Sequence, residues 1–137
     1  MPLPGVCMVP TAVPIRVLIA DDSPTALRSV CDYLTFAGGF EVVCTASDGL
    51  NAVQLASHHR PDLALLDFRM PRLNGLQAAR ELRRSFPCLR VIIYSEIHGP
   101  TLEEECRGHG ADCFITKSRL PDDLLFEVRR LFPSFTH

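Results

Sequence analysis

The sequence predicts an α/β fold: a doubly wound, five-stranded parallel sheet with helices on both faces. Three observations carry that expectation. Short, continuous apolar runs recur at residues 17–20, 63–66, 91–94 and 113–116, the pattern of strands buried on both faces. The segments between them repeat apolar residues with a helical period. Polar residues capable of chemistry stand where these runs end: Asp21 and Asp22 after the first, Asp67 after the second, Ser95 after the third and Lys117 after the last.

The first strand is expected over residues 15–20. Ser23 then offers an N-cap and Pro24 the first helical position, where proline's fixed φ suits the turn and no N–H is needed. Leu27, Val30, Cys31 and Leu34 share one helical face until Gly38-Gly39 stops the helix. Residues 40–44 read as a second strand, with Glu41 pointing to an edge position. Asp48-Gly49 opens a helix that carries Ala52, Val53 and Ala56 inward and ends before Pro61. A third strand over 63–66 delivers Asp67 into a loop containing Pro71 and Asn74-Gly75. The helix after it lines up Gly75, Ala78, Ala79 and Leu82 and ends near Pro87. A fourth strand spans 89–94. The next helix starts near Pro100, has Leu102 and Cys106 as its only clear apolar contacts, and ends at Gly108 and Gly110. After a fifth strand over 113–116, Pro121 starts a last helix with Leu124, Leu125, Val128 and Leu131 inward.

Strict alternation of strand and helix implies a parallel sheet between two helical layers. Right-handed crossovers then put the carboxyl ends of all strands on one edge, where open α/β sheets carry their sites.

At 137 residues the chain is long enough to bury a core as one domain. The expected organisation is a disordered, proline-rich leader over 1–14, one domain over 15–132 and a short tail over 133–137. The leader is apolar but has four prolines and no basic residue before Arg16, unlike a signal peptide. No apolar stretch is long enough to span a bilayer, so a cytoplasmic location is expected. A formal net charge of −2 gives none of the basic footprint of a nucleic-acid binder. None of the six cysteines (Cys7, Cys31, Cys44, Cys88, Cys106, Cys113) forms a C-x-x-C, and reduced thiols are expected.

Asp21, Asp22, Asp67, Ser95 and Lys117 thus converge on one crevice, in outline a phosphoryl-transfer site. A carboxylate titrates ordinarily near ~4, so Asp67 is expected to be ionised at neutral pH and able to attack phosphorus. Asp22 and Asp67 suit a hard octahedral cation such as Mg²⁺, with Asp21 assisting through a water. Lys117 would neutralise the transferred group and Ser95 would donate a hydrogen bond to it.

Singly, each has a plainer reading. Asp21 or Asp22 could cap a helix, Asp67 could be a turn aspartate, Ser95 a cap, and Lys117 a solvated charge. Their joint placement at successive strand ends favours the site. Elsewhere, His58, His59, His98, His109 and His137 lack metal-ligand spacing. Glu103-Glu104-Glu105 reads as a solvated helix start, and Arg80, Arg83 and Arg84 as the exposed face of their helix. Gly108-His109-Gly110 precedes a strand and so is no phosphate loop.

The blocks Ile19-Ala20-Asp21-Asp22, Pro61 through Pro71 around Asp67, Asn74-Gly75, and Gly110 through Lys117 resemble the receiver domain of two-component response regulators over 15–131. The resemblance implies the flavodoxin-like strand order 2-1-3-4-5 and phosphorylation of Asp67. It implies Mg²⁺ held by Asp22, Asp67 and the backbone carbonyl of Arg69, with Asp21 in support. Ser95 and Phe114 match the hydroxyl and aromatic positions that report phosphorylation to the face formed by the fourth helix, fifth strand and fifth helix. The implied partners are a sensor histidine kinase or phosphotransfer protein, a downstream effector or an output domain, and a second copy in a phosphorylation-dependent homodimer. The chain would promote only its own phosphorylation and dephosphorylation.

Three positions depart from the usual pattern. Ser118 follows Lys117 where many receivers have proline, Glu96 follows Ser95 where a small residue is usual, and Phe114 replaces the commoner tyrosine. Two alternatives stand beside this reading. An aspartate-nucleophile phosphohydrolase would need a second aspartate where Arg69 stands. A constitutive interaction scaffold is the other, and Glu96 is the residue that favours it.

Overall fold

The computed structural model describes residues 14–135. Of the expected leader only Pro14 falls within them, and positions 136 and 137 of the expected tail lie outside. The elements run β1 (Ile15–Ala20), α1 (Pro24–Ala37), β2 (Phe40–Ala46), α2 (Gly49–His59), β3 (Leu63–Asp67), α3 (Gly75–Ser85), β4 (Arg90–Ser95), α4 (Pro100–Gly108), β5 (Cys113–Thr116), a 3-10 turn (Lys117–Arg119) and α5 (Leu120–Leu131). The five strands pair in parallel in the order β2-β1-β3-β4-β5, the doubly wound arrangement.

Strand position follows from side chains. β3 is buried at every residue and β4 at all but Arg90, as their unbroken apolar runs require for strands covered on both faces. β2 pairs only with β1, and Glu41 is exposed on that edge. It runs two residues further than the apolar pattern indicates. Val17 pairs with Val42 while Leu18 pairs with Cys44, so Val43 is an extra residue in the ladder. Such a bulge is tolerated best at an edge.

Alternation along the strands divides the core into two layers. Val17, Ile19, Leu65, Ile92, Tyr94 and Ile115 face α1 and α5, where Val30, Leu34, Leu124 and Val128 meet them. Leu18, Ala20, Ala64, Leu66, Val91 and Ile93 face the other side, against Ala52 and Ala56 of α2 and Ala78, Ala79 and Leu82 of α3. Helix starts follow the sequence signals. The side chains of Ser23, Asp48 and Asn74 cap α1, α2 and α3, and Asn74 forms a reciprocal capping box with Gln77.

Four local expectations are corrected. The last helix is preceded by a 3-10 turn and begins at Leu120, which is buried, while Leu125 is only half-buried. Arg83 is not simply an exposed cation: its guanidinium bonds Gly110 O, Pro87 O and Asp112 Oδ2, and Asp112 also accepts from Val91 N. That clamp ties α3 to the start of β4 and the loop before β5. Among the cysteines, Cys31, Cys44, Cys106 and Cys113 are free thiols, and burial pushes Cys106 up to about 11 and Cys113 up to about 12. Cys88, exposed in the turn between α3 and β4, is disulfide-bonded, against the expectation of reduced thiols; Cys7 lies outside the described residues. Beyond α5, Phe132 is buried and the Phe135 ring sits 5.3 Å from that of Phe40, so this stretch packs on the edge strand. Among the described residues no helix is long and apolar enough to cross a membrane.

Candidate functional site

Asp21 leaves the sheet at the end of β1, its N–H still bonded to Ala46 O. Its Oδ1 accepts the Ser23 N–H at 2.9 Å, which turns the chain into the cap of α1. The cap itself is therefore Ser23, which accepts from Ala26 N. Asp21 is 1 % exposed and Asp22, the next residue, is exposed.

Asp67 closes β3 and is 5 % exposed. Behind it the chain folds back sharply: Phe68 N bonds Tyr94 O, and Gly75 N bonds Phe68 O. A Cβ on Gly75 would lie 2.5 Å from Asp67 O, so only glycine lets α3 start this close to the aspartate.

One oxygen from each of Asp21, Asp22 and Asp67 lies within 4.8 Å of the others. Lys117, on the 3-10 turn after β5, places Nζ 3.7 Å from Asp21 Oδ2 and 3.7 Å from Asp67 Oδ2. Three carboxylates thus face one ammonium. Burial, then the Asp21 charge, push the Asp67 carboxyl up to about 7, against the opposing pull of Lys117 and the Arg69 backbone N–H. This corrects the expectation of a fully ionised Asp67 at neutral pH. Without a cation, burial first and the neighbouring Asp21 charge second favour the protonated form. Hard oxygen donors, crowded and short of positive charge, are the donor set that Mg²⁺ prefers, and the residues fit that ion.

Ser95, at the end of β4, is 2 % exposed, and its hydroxyl accepts the Ile97 N–H at 3.1 Å. Above the carboxylates opens a cavity of about 280 Å³ lined by Asp22, Asp67, Ser95, Glu96 and Lys117, with Ser23, Arg69 and Ile97. Four of the five residues singled out at strand ends line it, and Asp21 lies beneath. Arg69 and Glu96 place opposite charges on its lining. Phe114 does not line the cavity. It is half-buried, packed against the core layer that includes Cys106 of α4.

One residue of this constellation was not singled out from sequence. Tyr94 is fully buried, and its hydroxyl donates to Asp21 Oδ2 at 2.8 Å. The signal was present: a buried tyrosine hydroxyl in an aliphatic run needs a partner, and the strand end supplies carboxylates.

Comparison with known proteins agrees with this geometry. The family model described as the response regulator receiver domain matches residues 17–129. The Mycobacterium tuberculosis transcriptional regulatory protein PdtaR is 37% identical over 116 residues, covering 83% of this chain and 55% of the relative. The probable transcriptional regulatory protein NarL of the same species is 35% identical over 114 residues, covering 83% and 53%. The chain thus spans about half the length of these relatives. Among solved structures, the receiver domain of M. tuberculosis NarL superposes with a TM-score of 0.81 at 31% identity, covering 90% of this chain and 99% of that one. The Borrelia burgdorferi CheX–CheY complex with BeF3 and Mg²⁺ gives a TM-score of 0.82 at 30% identity, covering 88% and 90%. With fold, strand order and family model in agreement, this chain belongs to the response regulator receiver domain family.

Proposed function

We propose that residues 15–132 form a phospho-accepting receiver in which Asp67 takes a phosphoryl group from a phosphohistidine of a sensor kinase or phosphotransfer protein. The observation that carries the reading is the position of Lys117, whose ammonium stands 3.7 Å from both Asp21 and Asp67 beneath an open, acidic cavity. Asp67 Oδ forms the new O–P bond as the donor's N–P bond breaks, and the imidazole leaves with the bonding electron pair. Asp22 and Asp67, with the Arg69 carbonyl, would hold Mg²⁺, with Asp21 in support; the acidic cluster supports this reading. When bound there, such an ion would supply the positive charge that lets one anion approach another.

Lys117 stabilises the equatorial phosphoryl oxygens. Ser95 gives up the Ile97 N–H and rotates to donate its hydroxyl to the phosphoryl group. That rotation vacates space for Phe114 and carries the signal to the α4–β5–α5 face. A downstream effector, an output domain or a second copy reads that face. Arg69 stands where a phosphohydrolase would need its acidic general acid, so the chain turns over only its own phosphoryl group.

Incubation with acetyl phosphate and Mg²⁺ should add one phosphoryl group, read by intact-protein mass spectrometry. Asp67→Asn should abolish the adduct, and Asp22→Ala should lose the metal-dependent phosphorylation while keeping the fold. A persistent, acid-labile adduct in Asp67→Asn overturns the assignment.

A further inference from the structure

Asp21, Asp22 and Asp67 are not equivalent ligands, and the difference traces to Tyr94. A carboxylate oxygen offers two in-plane lone pairs. Asp21 Oδ2 meets the Tyr94 hydroxyl at 2.8 Å and faces Lys117 Nζ at 3.7 Å, while Oδ1 accepts the Ser23 N–H at 2.9 Å. Oδ2 thus has two partners and Oδ1 one, and the residue is buried. Asp22 is exposed on the cavity wall, and Asp67 opens to the same cavity.

Tyr94 is well held. It pairs with Asp67 in the β3–β4 register, so its hydroxyl reaches past β3 to the end of β1. Its ring belongs to the α1/α5 core layer with Ile19, Val30 and Ile92, and Lys117 Nζ lies 5.6 Å from the ring centroid. A single phenol therefore contacts both the supporting carboxylate and the site's ammonium.

We propose that Tyr94 is a positioning residue that keeps Asp21 out of a divalent cation's inner shell, so that Asp21 acts on the ion only through water. The inference rests on the reading of Asp22 and Asp67 as the Mg²⁺ ligands. Its consequence is selectivity. Two direct carboxylates with several waters suit Mg²⁺, whereas a third direct carboxylate favours Ca²⁺, which takes more oxygen ligands in looser geometry. The donated hydrogen bond also draws charge from Asp21 and leaves Lys117 freer to turn toward Asp67. A phenol present only to fill the core predicts none of this, because phenylalanine would fill the same space.

The test is calorimetric titration of Mg²⁺ and Ca²⁺ into wild type, Tyr94→Phe, Asp21→Asn and the double variant. Tyr94→Phe should tighten binding severalfold, because it frees one Asp21 oxygen for the ion, and Ca²⁺ should gain more than Mg²⁺. In the Asp21→Asn background the same substitution should change nothing. A folded Tyr94→Phe with unchanged or weaker affinity, or an effect that survives Asp21→Asn, overturns the inference while leaving the Mg²⁺ reading intact. Wild type that binds neither cation overturns both.

Should Tyr94→Phe not fold, Tyr33→Phe leaves Tyr94 as the only tyrosine in a chain without tryptophan. Its near-ultraviolet spectrum should then stay that of a carboxylate-bonded phenol when Mg²⁺ saturates the site. A Mg²⁺-induced change to a free phenol overturns the inference.

Discussion

Two strands of this sheet end in a site residue and then enter a helix, and the two passages are built very differently. After Asp67, α3 starts with a full capping box and buries Gly75, Ala78, Ala79 and Leu82. After Ser95, α4 starts at Pro100 behind Gly99, which offers no side-chain cap bond, and buries only Cys106. A side-chain N-cap contributes about 1 kcal/mol, full burial of Leu82 adds about 1.5–3 kcal/mol, and each alanine methyl adds about 0.8 kcal/mol. The acceptor therefore sits on a fixed platform and the hydroxyl beside a loosely held one. On the function proposed above, with phosphorylation at one point and movement at another, that division would let Asp67 keep its geometry while α4 shifts.

The largest effect should come from filling the tight passage. Gly75→Ala sets a Cβ 2.5 Å from the Asp67 carbonyl oxygen, a backbone atom that cannot swing aside. Overpacking of this kind costs about 3 kcal/mol, and urea denaturation should show a loss of that order together with slowed phosphorylation. A variant as stable as wild type would mean that the platform yields, and the contrast with α4 would fall.

The acceptor side should also titrate. The Asp67 carboxyl lies at about 7 in the fold against 3.8 for the unperturbed group. Between those values the folded state binds more protons than the unfolded state, so without metal this group's contribution to stability falls as pH rises from about 4 to about 7. The difference in melting temperature between wild type and Asp67→Asn should follow that course, with the variant gaining as pH rises. Mg²⁺ should offset the wild-type loss at pH 7. A difference that is flat across this range would show that the fold does not raise the Asp67 carboxyl.

How much of this was legible in sequence follows the same division. The strands, the capped helices and the convergence of Asp21, Asp22, Asp67, Ser95 and Lys117 were readable because each rests on local chemistry: an apolar run, a cap, a strand end. Tyr94 escaped because its role depends on a partner 73 residues away, and Arg83 because its acceptors lie across the α3–β4 and α4–β5 junctions. The raised Asp67 carboxyl escaped for a related reason. Residue type gives a charge, but only packing gives the distance to the next charge.

On the loose side, Glu96 is exposed and lines the cavity beside Ser95. Its carboxylate should repel phosphoryl oxygens and also crowd the approach of a hydrolytic water. With Mg²⁺ bound as proposed, it and Lys117 would balance much of the charge, so the steric effect should dominate. Glu96→Ala should shorten the phosphorylated lifetime by about fivefold, the equivalent of about 1 kcal/mol in the barrier. An unchanged or longer lifetime would reject the screening role and leave Asp67 untouched.

The smallest effect should carry the opposite sign to the first. Gly108 ends α4, and a Cβ there would meet no atom within 4 Å. Its φ is not positive either, unlike that of Gly99 or Gly110. Alanine would therefore restrict the unfolded chain and favour the helix without a clash, a gain of about 0.5 kcal/mol at a helix end. Gly108→Ala should slow amide exchange across α4 and leave the amides of α3 unchanged, because α3 is already held by its cap and its buried face. If exchange slows equally in both helices, the two form one cooperative unit and the separation of fixed platform from movable element does not hold. If α4 alone responds, the same variant should weaken the coupling between phosphorylation and exchange in α4, since the element that must shift has been stiffened in its resting position.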